Sequence, residues 1–402
     1  MKELNQIKDK VILHSDVNNF FASVECMNNP KLQKEPVAVT GNPKKRTGII
    51  LAKNEVAKKY GVKTGQTIGE AKALCPNLIC LPPHYDLYEE ISSSLANLYL
   101  QYTNYVEPLG LDECWLDVTG CEKYLHKTGK EIADEIRTKV KSEFNLTISV
   151  GVSFSKIFAK LGSDLKKPDY TTEISYDNFK NLTYSLPLNT IIGIGRRLEK
   201  KFKAIDVNTI GDFVMLDDKY IQNLMGIVGI NLKQDLKAER FVPVLDYYKL
   251  PPPKSIGNGT TTTKDITSRK DIEKVVYFLA EKVSSRLINQ KLYANTLSLT
   301  IKNKDLKTFH KSMKIKPTNS IKDLTNLGMN IADKIWNYNY PVRAIRLRAS
   351  SLTSSLMKQL SFFDDDKKDF SNIVNDINKK YGKMELASDF SNYLNKSTHP
   401  QE

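Results

Sequence analysis

Residues 11–17, VILHSDV, are an apolar run that closes on an acid, the pattern of a buried strand. NNFFASVECM follows with Phe20, Val24 and Met27 at helical spacing, and Asn18 is the expected N-cap. Residues 28–83 are less regular. PVAVTG and GIILA read as short strands, and AKNEVAKKYG as a short basic helix stopped at Gly61. From Asp86 the period lengthens, with Tyr88, Ile91, Leu95, Leu98 and Tyr102 on one helical face. YVEPLG and CWLDVTG are strand-like runs that meet at Leu111–Glu113. In the second, Trp115 and Asp117 share one face while Cys114, Leu116 and Val118 share the other. KEIADEIRTKVKSEF repeats Ile132, Ile136, Val140 and Phe144 every four residues, and LTISVGVSF is a further strand. Apart from the insert at 28–83 and the helix after it, the order is βαββαβ, a ferredoxin-like arrangement whose central strands are neighbours. That order predicts Asp16, at the end of the first strand, beside Asp112 and Glu113 at the hairpin.

Residues 171–241 read as short helices, among them LNTIIGIGRRLEKKF and LMGIVGINLKQDL, and Pro251, Pro252 and Pro253 mark a stiff linker. Beyond it, IGNGTTTTKDI and NTLSLTIKN read as strands, and DIEKVVYFLAEKVSSRLIN and NSIKDLTNLGMNIADKIWNY as helices. This is a separate small α/β module. The last fifty residues are polar and expected to be partly disordered, apart from QLSFF and a helix-like stretch near FSNIVNDINKKYG. The fold class is therefore α+β and multidomain.

Composition narrows the function. A chain of 402 residues exceeds one small core and suggests two to four domains. No window reaches the roughly 18 apolar residues of a membrane span, and MKELNQIKDK has no apolar signal core, so a cytoplasmic protein is expected, with no membrane partner. The five cysteines form no CxxC and the five histidines are scattered, which argues against zinc and for reduced thiols. The net charge is +14, and residues 251–350 alone hold 19 Lys+Arg against 7 Asp+Glu, an excess of 12. A basic excess so concentrated points to a polyanion, nucleic acid above all.

Against that background the acids stand out. Read singly, an Asp at a strand end is a cap, and adjacent acids at a turn are a solvated pair. Brought together, Asp16, Asp112 and Glu113 repel one another and need a cation. Mg2+, a hard ion that shares carboxylates with substrate phosphates, suits them. Two such ions about 4 Å apart can activate a hydroxyl and steady a leaving pyrophosphate. AKNEVAKK supplies Lys53, Lys58 and Lys59, and SDLKKPDY supplies Lys166 and Lys167. Alone these are solvated lysines, but beside a metal site they could neutralise a triphosphate. GIGRRLEKKF (193–202) fits a helix–hairpin–helix. Gly193 and Gly195 would let backbone amides reach a phosphate and Arg196 and Arg197 add charge, although an ordinary helical turn fits that pattern equally well.

VILHSDVNNFFASVE, GIILAKNEVAKKYGVKTG, GLDECWLDVTG, SVGVSFSKIFAKLGSDLKKPD and GIGRRLEKKF occur in the order found in the Y-family, or translesion, DNA polymerases, and the sequence resembles the bacterial DNA polymerase IV branch over residues 10–352. The resemblance implies a palm (1–19 and 84–174), fingers (20–83), a helical helix–hairpin–helix thumb (175–241), a linker (242–253), an α/β little finger (254–352) and a tail (353–402). It implies two Mg2+ held by Asp16, Asp112, Glu113 and the carbonyl of Val17. The amides of Asn19 and Phe20 would face the triphosphate, Lys58 and Lys167 would contact its phosphates, and Phe21 matches the aromatic steric gate that excludes a ribose 2′-hydroxyl. Gly193, Gly195, Arg196 and Arg197 would contact DNA. Primer-template DNA and dNTPs are the implied partners, and low-fidelity synthesis without proofreading the implied activity, carried out as a monomer.

The chain departs from the family pattern at several positions. Glu55 and Lys58 stand where relatives often have Tyr and, three residues on, Arg. Bidentate phosphate recognition is lost with the Arg, and Glu55 is expected to turn outward. Gly110 replaces a frequent Ser, and Asn18 replaces an Asp found in some relatives. The segment around Glu55 also resembles the catalytic subunit of DNA polymerase V. QLSFF (359–363) resembles the sliding-clamp-binding pentapeptide, in which Gln359 would hydrogen-bond and Leu360, Phe362 and Phe363 would fill an apolar groove. The rival readings are a nucleotide cyclase, which shares the sheet and the metals but has no use for a basic module, and a non-catalytic clamp-bound scaffold, which has no use for three acids.

Overall fold

The computed structural model describes residues 7–41 and 48–354. It divides into two compact units: residues through Gly41 and Ile49–Leu250 form the first, and the chain from Pro251 forms the second.

Strands of the first unit are β1 (Ile12–Val17), β2 (Val37–Thr40), β3 (Ile50–Lys53), β4 (Ile79–Leu81), β5 (Val106–Leu109), β6 (Glu113–Asp117), β7 (Ile148–Ser153) and β8 (Thr171–Ile174). Five make a sheet in the order β5-β6-β1-β7-β8, and β3-β2-β4 make a smaller one. β1 pairs antiparallel with both β6 and β7, so the βαββαβ reading holds. β8 extends the sheet, parallel to β7. It occupies the start of a stretch the sequence assigns wholly to helix, because four residues at a sheet edge carry too short a pattern to read.

Side-chain alternation puts different chemistry on the two faces of the large sheet. Leu13, Val17, Cys114, Leu116 and Val118 pack with Tyr88, Leu95 and Leu98 of the Tyr85–Tyr99 helix and Ile132, Ile136 and Val140 of the Gly129–Phe144 helix. Thr128 starts the latter with a reciprocal cap to Glu131. On the opposite face Ile12 and Trp115 meet Ala159 of the Lys156–Leu165 helix. That helix lies directly on β7: a Cβ at Gly151 would stand 1.9 Å from the Ala159 carbonyl oxygen and 2.6 Å from the Ser163 nitrogen. Only glycine permits this approach, and the approach carries Lys160 to the end of β1.

The helix after β1 spans Phe20–Asn28 and its N-cap is Asn19, not the expected Asn18. Asn18 is instead buried: its side chain donates to Thr147 Oγ1 at 3.1 Å and accepts from Ser149 Oγ at 2.9 Å, tying β1 to β7. Residues 175–236 are short helices around Phe158, Phe179, Phe202 and Phe213. The first arm of the GIG hairpin is only a three-residue 3-10 turn, Leu188–Thr190. The predicted connector does not run free over its first half. Val244 packs with Ile12 and Trp115, the Leu245 N–H donates to Glu107 at 2.9 Å, and the Tyr247 N–H donates to the Asn104 carbonyl at 2.9 Å.

The second unit holds β9 (Ser255–Ile266), β10 (Tyr293–Asn303), β11 (Thr308–Thr318) and β12 (Val342–Thr353), in the order β11-β10-β12-β9. Helices Arg269–Asn289 and Ile321–Ile335 cover one face, enclosing Leu297, Leu299, Ile301, Ile345 and Leu347. Among the described residues no helix is long and apolar enough to cross a membrane.

Candidate active site

Asp16 and Glu113 are register partners across β1 and β6, and the Val17 N–H donates to the Asp112 carbonyl at 2.9 Å. Acids from two distant segments, Asp16 and the adjacent Asp112 and Glu113, therefore meet at one end of the sheet. Two lysines meet them. Lys160 Nζ stands 3.2 Å from Asp16, 3.1 Å from Glu113 and 3.0 Å from Asp164. Lys167 Nζ stands 2.8 Å from both Asp16 and Asp164. His14 places Nε2 3.5 Å from Glu113, an ion-pair separation rather than a well-formed hydrogen bond, and Nδ1 2.9 Å from Ser163 Oγ.

The three carboxyl groups feel different surroundings. Burial, then the charges of Asp16 and Glu113, push Asp112 up to about 6. Burial also raises Asp16, against the pull of Lys167 and Lys160. Burial acts on Glu113 in the same sense, but His14 and Lys160 outweigh it and hold the group at about 2. Both lysines are raised by the acids despite burial. Among the described residues no three His, Cys, Asp or Glu side chains are gathered closely enough to hold a metal. The acids converge as expected, but the groups lodged among them are ammoniums.

Lys160 was not singled out by sequence. Its signal was helical spacing to Asp164, four residues on; Lys167, two residues past the end of that helix, reaches the same Asp16 and Asp164. Lys166 points elsewhere, with its ammonium 4.8 Å from the Tyr170 ring centroid.

The residues expected to face a nucleotide lie at the start of the Phe20–Asn28 helix and in the Glu55–Lys59 helix. Asn19 has a left-handed backbone, φ 53°, and makes no side-chain cap. The amides of Asn19 and Phe20 thus lie at a helix N-terminus, where backbone N–H groups favour anions. The Asn19 side chain is free to turn away, and it donates to Glu55 Oε1 at 2.8 Å. Lys58 Nζ lies 3.3 Å from the same oxygen. Glu55 therefore does not turn outward; it bridges Asn19 and Lys58. Lys53, one of the lysines the sequence offers for phosphate charge, has its pKa lowered by burial and then by Lys58, with a smaller push from Lys167, so cations from both sides converge here. Phe21 is partly buried beside Tyr85 and Tyr88. Gly110 has φ +85° in the hairpin turn, which a side chain would strain.

Two further surfaces match expected nucleic-acid contacts in chemistry. Gly193 has φ +97°, Gly195 is the N-cap of the Arg196–Lys203 helix, and Arg196 and Arg197 are exposed. In the second unit the sheet face away from the helices presents Thr296, Ser298, Thr300 and Lys302 of β10, with Arg346 and Arg348 of β12. Gly257 and Gly259 stand opposite Arg348 and Arg346, and a Cβ at either would come within 3.1 Å of the arginine's own Cβ. Those glycines let the arginine stems lie along the sheet. QLSFF lies outside the described residues.

Comparison with known proteins fits this geometry. The impB/mucB/samB family model matches residues 15–164, and the model of that family's C-terminal domain matches residues 253–362. The DNA polymerase IV of Acetivibrio thermocellus is 40% identical over 359 residues, covering 89% of this chain and 90% of the relative. That of Bacillus velezensis is 34% identical over 383 residues, covering 93% and 91%. Among solved structures, a Y-family DNA polymerase chimera superposes with a TM-score of 0.75 at 22% identity, covering 86% of this chain and all of the other, which shows the shared fold. These relatives do not favour the polymerase V-like alternative. The sequence, the sheet and the relatives agree: the chain belongs to the Y-family of DNA polymerases, in the DNA polymerase IV branch.

Proposed function

We propose that the chain is a template-directed DNA polymerase of the translesion type. It adds deoxynucleotides from dNTPs to a primer 3′-hydroxyl, with low fidelity and no proofreading. The observation that carries this reading is the pairing of Asp16 with Glu113 in strand register, with Asp112 tied to Val17 beside them. Drawn around ions in place of the lysine ammoniums, these three carboxylates and a backbone carbonyl would make an all-oxygen donor set of the kind Mg2+ prefers. Asp16, Val17, Asp112 and Glu113 would hold two such ions, which when bound lower the pKa of the attacking hydroxyl and stabilise the leaving pyrophosphate.

The protein's own groups do the positioning. Lys167 and Lys58 take the charge of the triphosphate, and the amides of Asn19 and Phe20 orient it. Phe21 sets its ring against the sugar. Gly193, Gly195, Arg196 and Arg197 hold the duplex backbone. In this reading the five-stranded sheet is the palm, residues 20–83 the fingers, 175–241 the thumb and 254–352 the little finger of a monomer. Gln359, Leu360, Phe362 and Phe363 engage the replicative sliding clamp.

Primer extension tests the site. Asp112→Ala should abolish it while the wild type extends; equal extension by both proteins would sink the assignment. For the clamp, deleting residues 359–363 should remove stimulation by added clamp and spare basal synthesis. Loss of basal synthesis would instead make the peptide part of the fold.

A further inference from the structure

Phe21 does not stand alone. The Tyr88 ring lies flat against it, with centroids 4.4 Å apart and planes 12° from parallel. Tyr85 meets Phe21 edge-on at 6.0 Å and meets Tyr88 edge-on at 6.0 Å. Tyr88 is fully buried, and its hydroxyl donates to Glu25 Oε1. His84 Nδ1 lies 2.8 Å from the same oxygen. Glu25 is itself only 5% exposed and sits one helical turn after Phe21 in the Phe20–Asn28 helix. The chain of contacts is therefore closed. Phe21 stacks on Tyr88, Tyr88 bonds to Glu25, and Glu25 returns to the helix that carries Phe21.

Such a frame has a cost that packing alone does not require. A carboxylate is almost never fully buried without partners, and a leucine pair would fill this core more cheaply. What the polar anchor adds is direction: a charge-assisted hydrogen bond fixes where the Tyr88 ring lies, and so where Phe21 can go. A gate that rejects a ribose by collision works only if its ring cannot retreat. A phenylalanine at a helix start, partly exposed, would otherwise swing between rotamers at little cost.

We propose that Tyr88, anchored by Glu25, is a positioning residue for Phe21 and sets the sugar selectivity of nucleotide incorporation. This rests on the reading of Phe21 as the gate. The experiment measures kcat/KM for a dNTP and for the matching rNTP with the full chain.

Tyr88→Leu removes the stacking partner and should lower the dNTP-to-rNTP ratio by roughly three- to tenfold, with the loss borne by faster rNTP entry rather than slower dNTP entry. Tyr88→Phe removes the anchoring hydrogen bond and Glu25→Gln weakens it, since the amide oxygen still accepts, and both keep the volume of the core; each should lower the ratio less, in the same direction. A Phe21→Ala, Tyr88→Leu double variant should be no more permissive than Phe21→Ala.

Equal decline of both substrates in all three Tyr88 and Glu25 variants, with the ratio unchanged, would mean that the frame is structural and would overturn the inference. Phe21→Ala separates the two levels. If it admits ribonucleotides while the Tyr88 and Glu25 variants do not, only the inference falls. If it leaves the ratio unchanged, the gate reading falls and the inference with it.

Discussion

In the proposed nucleotide site, Glu55 would place a carboxylate where a triphosphate needs cations, and it pairs with Lys58 at 3.3 Å. Both side chains are about half exposed, at 47% for Lys58 and 41% for Glu55, so solvent screens the pair and its worth is modest. Glu55→Gln should free Lys58 and remove a like charge from the nucleotide's path. The expected result is a dNTP KM lower by roughly two- to fivefold at unchanged kcat, read in steady-state single-nucleotide incorporation. An unchanged or higher KM would show that Glu55 does not oppose the triphosphate. The pairing was not legible in sequence. Asn18 and Asn19 are adjacent and chemically alike, and only the left-handed backbone of Asn19 decides that Asn18 goes to the core and Asn19 to Glu55. Lys160 was legible only in part: helical phase groups it with Asp164, while Lys167 lies past the helix end and joins them through the fold.

Among the elements, those with a clean period were read well. β6 alternates, and Cys114, Leu116 and Val118 do line the core while Trp115 lies on the other face. The Gly129–Phe144 helix carries both its period and its cap in sequence. β11 escaped because its first five residues, Thr308–Ser312, are exposed and only Met313 and Ile315 alternate onto the core, too short an apolar pattern to read. β12 does alternate, with Ile345, Leu347 and Ala349 inward and Arg346 and Arg348 outward, yet it was not read as a strand. That outward row predicts a salt signature. Removing a cation that neutralises one DNA phosphate should flatten the slope of log affinity against log salt by about 0.9. An Arg346→Ala, Arg348→Ala double variant should therefore lower the slope by about 2 in a salt titration of primer-template binding. An unchanged slope would take β12 off the DNA.

At the scale of the whole molecule, a charge excess and a proline run, both visible without coordinates, set apart the stretch from Pro251, where the second compact unit takes up the chain. The sequence missed that residues 244–247 are fastened to the first unit, because those hydrogen bonds run to backbone and to Glu107, partners that no local pattern announces. The lysines lodged among the acids bear on the molecule as a whole. Asp16 and Glu113 already have counter-charges supplied by the chain, so assembly of this sheet does not wait for a mineral ion. Stripping the solution of divalents should silence synthesis yet leave the heat-induced unfolding curve where it was, apart from the small mass-action increment that any weak ligand confers. A chelator that melted the protein would show the opposite, that the ion is a rivet of the architecture rather than a reagent delivered to a finished bench.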